Sequence, residues 1–188
     1  MKLRALDAMM ISLFAALTAA GSFVTFPLYP VPITLQTFFT YLAGGVLGGR
    51  LGALSQLIYV LLGGAGLPIF AGGRAGFGVL VGPTGGYLIG LILSAFVIGR
   101  LCENKQNPNF AWILASMIIG TAMIYIVGVI QLSLWMRTSI AQTILWGILP
   151  FLVGDSVKIL MASLVILKIR NVLPYVRSGH RKIVRLSI

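Results

Sequence analysis

The placement of charge constrains this chain more than any other feature. No Asp, Glu, Lys or Arg occurs between Asp7 and Arg50, and none in Leu51 to Gly73, Ala75 to Gly99, Gln106 to Met136 or Thr138 to Gly154. A helix that crosses a bilayer needs about 20 consecutive, mostly apolar residues, and these runs supply them. Only 9% of the 188 residues are charged and 59% are apolar, against about 25% charged in an average globular domain. A water-soluble fold has too few charges here to cover its apolar surface. Disorder is excluded as well, because disordered chains are poor in apolar residues. The expectation is a single-domain, all-α integral membrane protein spanning residues 1–188, with a basic tail over 171–188. One Cys rules out an internal disulfide.

Pro27, Pro30 and Pro32 split the first charge-free run into two spans, since Pro breaks a helix interior. The spans then fall near 5–25, 33–48, 51–64, 85–101, 110–132 and 150–170. The third is short and is expected to extend into the Gly-rich stretch after it. Six spans place both termini on one side, and the positive-inside rule tests that count. With the N-terminus inside, the inner positions carry Lys2, Arg4, Arg50, Arg100, Lys105, Lys168, Arg170, Arg177, Arg181, Lys182 and Arg185. The outer positions carry only Arg74 and Arg137, and Lys158 lies within the last span. The net charge of +11 is therefore mainly a topology signal. The basic tail is suited to anionic lipid at the inner leaflet, and nucleic acid is not an expected partner. The start of the chain has the charge and apolar run of a signal peptide, but cleavage is not expected, because it would leave five spans. Small residues four apart, such as Gly44/Gly48, Gly45/Gly49 and Gly86/Gly90, let helix backbones approach closely in lipid.

Several chemistries are excluded. No G-x-x-x-x-G-K-[ST] loop is present, so the chain has no evident ATP site of its own. His180 is the only His and lies in the basic tail, which leaves no Ser-His-Asp site and no His-based metal site. Cys102 stands alone as apolar filler. No catalytic residue, metal or cofactor is expected.

The informative residues are the ionisable pair in the last span. Asp155 and Lys158 lie roughly 8 and 12 Å below its outer end at about 1.5 Å rise per residue. Three positions apart, they share a helix face. Each charge costs about 2.5–3.5 kcal/mol at mid-membrane, so the pair must face the bundle interior and find partners. Two accounts stand: an ion pair that holds helices together, or a polar anchor for a ligand. A carboxylate accepts and an ammonium donates, so a ligand would present N–H donors beside a carbonyl oxygen, as a urea or amide does. The stretch 65–84 is too rich in Gly and Pro for a continuous helix. It is either an exposed loop with one cation or a gate whose Arg74 meets a substrate carboxylate. Thr34, Gln36 and Thr37 at the outer end of the second span are fit either for interhelical hydrogen bonds or for lining the same cavity. Tyr87 opens the fourth span. In the first span, Ala15/Ala19 and Ala16/Ala20 offer two registers of a smooth face, for internal packing or for docking a partner.

Three blocks, VPITLQTF at Val31–Phe38, GLPIFAGGRAGFGVLVGPTGGYLIG at Gly66–Gly90 and PFLVGDSVK at Pro150–Lys158, closely resemble the BioY family. These are the biotin-specific substrate-binding subunits of energy-coupling-factor (ECF) transporters. The resemblance covers roughly residues 10–165; the segment 133–148 and the tail carry no matching motif. It implies six transmembrane helices, cytoplasmic termini in the cell membrane, and a biotin pocket open to the outside. It implies that Asp155 and Lys158 hold the buried ureido head. Gln36, Arg74, Gly85 and Tyr87 fall in the other blocks and are carried over as candidate contacts. Ala16 and Ala20 are expected to dock the transmembrane T component, and two ATPase subunits are expected to bind the ATP. The alternative is a proton-coupled permease acting alone, with Asp155 as a proton relay.

Overall fold

A computed structural model describes residues 4–105 and 107–172. The elements run α1 (Ala5–Phe23), β1 (Thr25–Phe26), β2 (Ile33–Thr34), α2 (Gln36–Leu47), α3 (Gly49–Gly64), α4 (Phe77–Val81), α5 (Gly85–Glu103), α6 (Phe110–Met136), α7 (Ile140–Gly147) and α8 (Leu152–Val172). Single 3-10 turns lie at Ala71–Gly73 and Leu149–Phe151. Four helical stretches are long and apolar enough to cross a membrane: Ala5–Phe23, Gly85–Glu103, Phe110–Met136 and Ile140–Arg170. Helices α2 and α3, with 12 and 16 residues, are shorter. The tail at 171–188 lies outside the described residues except for its first two positions, which continue α8.

The long helices coincide with the expected spans, and their ends correct four details. The second helix starts at Gln36 rather than near 33, because Ile33 and Thr34 pair antiparallel with Phe26 and Thr25 in a two-residue hairpin. That hairpin and an isolated antiparallel bridge between Phe70 and Arg74 are the departures from all-α architecture among the described residues. Helix α3 stops at Gly64 and does not run on into the Gly-rich stretch. That stretch instead holds a 3-10 turn and the five-residue α4. Residues 140–147 form α7, whose start is capped by Ser139 Oγ accepting from Gln142 N at 3.3 Å. Between α2 and α3, Gly48 has φ 82°, where a Cβ would collide with the Glu103 carboxylate. Glu103 Oε1 accepts from Gly49 N at 3.2 Å and so satisfies one of the orphan N–H groups that open α3.

Polarity is inverted relative to a water-soluble fold. On α6, Ile118, Ile126, Ile130 and Leu134 are exposed, whereas Ser116 and Thr121 are buried. Thr18, Thr40, Ser55 and Gln56 are completely buried and bonded to one another or to helix carbonyls. This is how a bundle packs when its solvent is hydrocarbon. The small residues close the packing. A Cβ on Gly44 would lie 2.7 Å from Ala95 O, and one on Gly90 2.7 Å from Ile124 Cα. At the end of the bundle away from Asp155, buried Arg170 donates to Gly45 O at 3.3 Å and to Cys102 O at 3.2 Å. It thereby ties α8 to the last turns of α2 and α5.

Candidate functional site

Asp155 sits in the first turn of α8, where the helix dipole favours a negative charge. Lys158, three residues on, reaches back to it with Nζ 2.9 Å from Asp155 Oδ1. The side chains are only 5% and 11% exposed. Lys158 also donates to Thr34 O at 2.7 Å and to Thr37 Oγ1 at 3.1 Å, so all three of its N–H groups are engaged. Asp155 accepts from Tyr125 Oη at 2.6 Å through Oδ2 and from Thr37 Oγ1 at 3.4 Å through Oδ1. An ionised carboxylate offers about four lone-pair sites, which leaves Oδ2 able to accept once more. The pair thus joins α8 to the β2–α2 junction and to α6.

It also faces a cavity, so the residues are neither turned outward nor sealed among helices. The space between atoms there is about 630 Å³ with its open mouth included. Asp155, Lys158, Thr34, Gln36, Thr37 and Tyr125 form its polar part, and Val31, Phe70, Val79, Leu88, Leu91, Ile124 and Phe151 supply apolar wall. Arg74 lines it from the exposed side, with Nε donating to Ala71 O at 3.1 Å. A guanidinium has five N–H donors, so most of its capacity is free of that bond. The arrangement suits a ligand whose buried end carries N–H and C=O groups and whose body is apolar.

The stretch 65–84 makes one wall of this cavity through Phe70, Ala71, Arg74, Val79 and Thr84. Phe70 anchors it: the ring is 1% exposed, packed on Gly63 and edge-on to Tyr59 at 5.7 Å between centroids. Between that anchor and α4, Gly72, Gly73 and Gly76 have φ of 72°, 71° and 92° with open space around them, conformations that a side chain rarely adopts. Gln131 of α6 ties the far end down, donating to Leu80 O at 2.7 Å and Gly82 O at 2.8 Å.

The other sequence candidates separate. Gln36 and Tyr87 line the cavity. Tyr87 donates to Gly147 O at 2.9 Å and its ring lies 6.3 Å from that of Phe151. Gly85 is not among the residues that line the cavity. A Cβ there would strike Leu80 O, so this glycine is needed where the loop folds back on the start of α5. Ala16 and Ala20 are exposed and Ala15 is buried, so the two registers of α1 part into an outer and an inner face. Sequence reasoning missed Tyr125 and Tyr59. A phenol fifteen residues inside α6, far from either interface, was the available signal for the first.

The BioY family is matched over residues 1–175. A biotin transporter BioY of Thermotoga maritima is 46% identical over 159 residues, covering 85% of this chain and 92% of that protein. A probable biotin transporter BioY of Pyrococcus horikoshii is 37% identical, covering 87% and 95%. Among solved structures, the crystal structure of the S-component for biotin from an ECF-type ABC transporter superposes with a TM-score of 0.83. It is 26% identical in sequence and covers 88% of this chain and 91% of the other. The fold, the extent of these matches and the three sequence blocks that build the cavity agree, and the chain belongs to the BioY family.

Proposed function

We propose that this protein captures biotin and passes it across the cell membrane as the substrate-binding subunit of an ECF-type transporter. One observation carries the reading: a buried donor and a buried acceptor, Lys158 and Asp155, stand side by side on the wall of an otherwise largely apolar cavity. Biotin has a ureido head with two N–H groups and a carbonyl, an apolar thiophane ring, and a carboxylate tail. The free acceptor site on Asp155 Oδ2 takes a ureido N–H. Lys158 turns one N–H from Thr37 to the ureido oxygen. Phe70, Leu88, Leu91 and Phe151 enclose the ring, and Arg74 meets the carboxylate at the mouth. Gln36 and Tyr87 complete the wall. The loop 65–84 closes over the ligand.

Six helices, α1, α2, α3, α5, α6 and α8, cross the membrane with both termini cytoplasmic, which places Asp155 toward the outside. Ala16 and Ala20 dock the transmembrane T component, and ATP is hydrolysed by two partner ATPase subunits. No bond in biotin changes, so the chain is a carrier and not an enzyme. The test is biotin binding to detergent-purified protein. Asp155→Asn keeps the shape and removes the charge, and it is expected to weaken binding more than about tenfold, the loss of one hydrogen bond to a charged group. An analogue lacking the ureido hydrogens is expected to lose a similar factor. Equal affinity of the folded variant and the wild type removes Asp155 from the site.

A further inference from the structure

We propose that Tyr59 is a positioning residue that couples the loop 65–84 to the cavity-facing amide of Gln36. The inference rests on the biotin reading and assigns a role to a residue that does not itself line the cavity. Tyr59 is fully buried on α3, and its hydroxyl, beside that of Ser22, bonds two groups. One is the backbone carbonyl of Ile69, at 3.1 Å, at the base of the loop. The other is the side-chain amide of Gln36. A carbonyl has no hydrogen to give, so the single phenolic hydrogen goes to Ile69 O. Gln36 must then offer N–H, not C=O, to the tyrosine oxygen.

The other end of the amide accommodates the same orientation. Thr34 Oγ1 lies 3.0 Å from Gln36 Oε1 and donates to it. Thr34 O in turn accepts from Lys158 at 2.7 Å. From the Thr34 hydroxyl the bonds therefore run in one direction, through Gln36 and Tyr59 to the loop, while Lys158 holds the backbone of the same threonine. Bonds aligned in this way polarise one another. Ser22 Oγ also lies 2.7 Å from Ile69 O, but Ala19 O competes for its one hydrogen at the same distance. Tyr59 and Ser22 thus both reach this carbonyl, and the tyrosine alone also takes the Gln36 amide. Gln36 Nε2 keeps a second hydrogen, and the residue lines the cavity, so the tyrosine determines that the ligand meets a donor there. It also determines that the loop is held while it does.

Tyr59→Phe keeps the ring against Phe70 and deletes only the hydroxyl. Biotin is expected to dissociate from this variant about tenfold faster with little change in association rate. Backbone amides within 69–76 are expected to exchange hydrogen faster than in the wild type even without biotin. In a Gln36→Leu background, adding Tyr59→Phe is expected to cause little further loss, because residues acting through one another are not additive. Thr34→Val, which frees the other end of the amide, replaces Gln36→Leu if that variant does not fold. Unchanged dissociation and exchange in Tyr59→Phe overturn the proposal, and so does a full tenfold loss on top of Gln36→Leu. If the wild type fails to bind biotin, the ligand reading falls and the exchange comparison alone decides whether Tyr59 holds the loop.

Discussion

Asp155 and Arg74 both line the cavity, but burial separates their weights. Asp155 is 4% exposed and each of its oxygens is held by protein donors, so disturbing it alters a desolvated network. Arg74 is exposed, and exposed charge pairs contribute only about 0.2–1 kcal/mol. Arg74→Gln is accordingly expected to weaken biotin binding by no more than about fivefold. The same change is expected to abolish discrimination between biotin and its methyl ester, which calorimetric titration of the two ligands measures. At this scale the sequence was legible where physics made a residue expensive. An Asp and a Lys on one face of an apolar helix require partners, and the structure buries them together beside a cavity. Tyr59, Tyr125 and Gln131 were not legible, because tyrosines and amides are tolerated in membrane helices for many reasons. Gly85 sits in the same block as Tyr87, and that a Cβ there would strike Leu80 O is something no sequence pattern shows.

The helices themselves were readable because uninterrupted apolar runs have few alternatives in a bilayer. Their ends were less so. Ile33–Thr34 reads equally well as the first turn of a helix or as a strand, and only pairing with Thr25–Phe26 decides. Helix α7 lies inside one apolar run with α8, and the break comes from the 3-10 turn at Leu149–Phe151, which includes Pro150. How the helix ends are fastened was also hidden. Arg170 donates to carbonyls near the ends of both α2 and α5, groups that a helix leaves unpaired in its last turn. Hydrogen bonds to charged groups are worth about 1.5–3 kcal/mol each, partly offset by burying the guanidinium. Arg170→Met is therefore expected to lower the melting temperature of the purified protein while changing biotin affinity less than about twofold, since the site lies at the other end of the bundle. A thermal unfolding series with and without biotin checks both halves.

Seen as a whole, the molecule keeps its polar groups inside and shows an apolar exterior, and α1 adds a distinctive stripe to that surface. Met9, Leu13, Ala16, Ala20 and Phe23 follow one exposed face, with two alanines forming a shallow notch between larger side chains. A partner helix fits such a notch closely. Replacing Ala16 and Ala20 with Trp is expected to abolish biotin uptake by cells that hold the energising module. The same variant is expected to bind biotin in detergent as the wild type does, so uptake and binding assays on one protein separate docking from capture. The charge pattern that gave six spans could not reveal which alanine register faces outward, because that depends on how α1 packs on α2 and α3. The polar cleft carries a last consequence. Lys158 spends all three N–H groups on Thr34, Thr37 and Asp155, so the protein itself balances this ammonium. In a medium that punishes unpaired charge, the deepest ions of the cleft are answered by the fold's own groups.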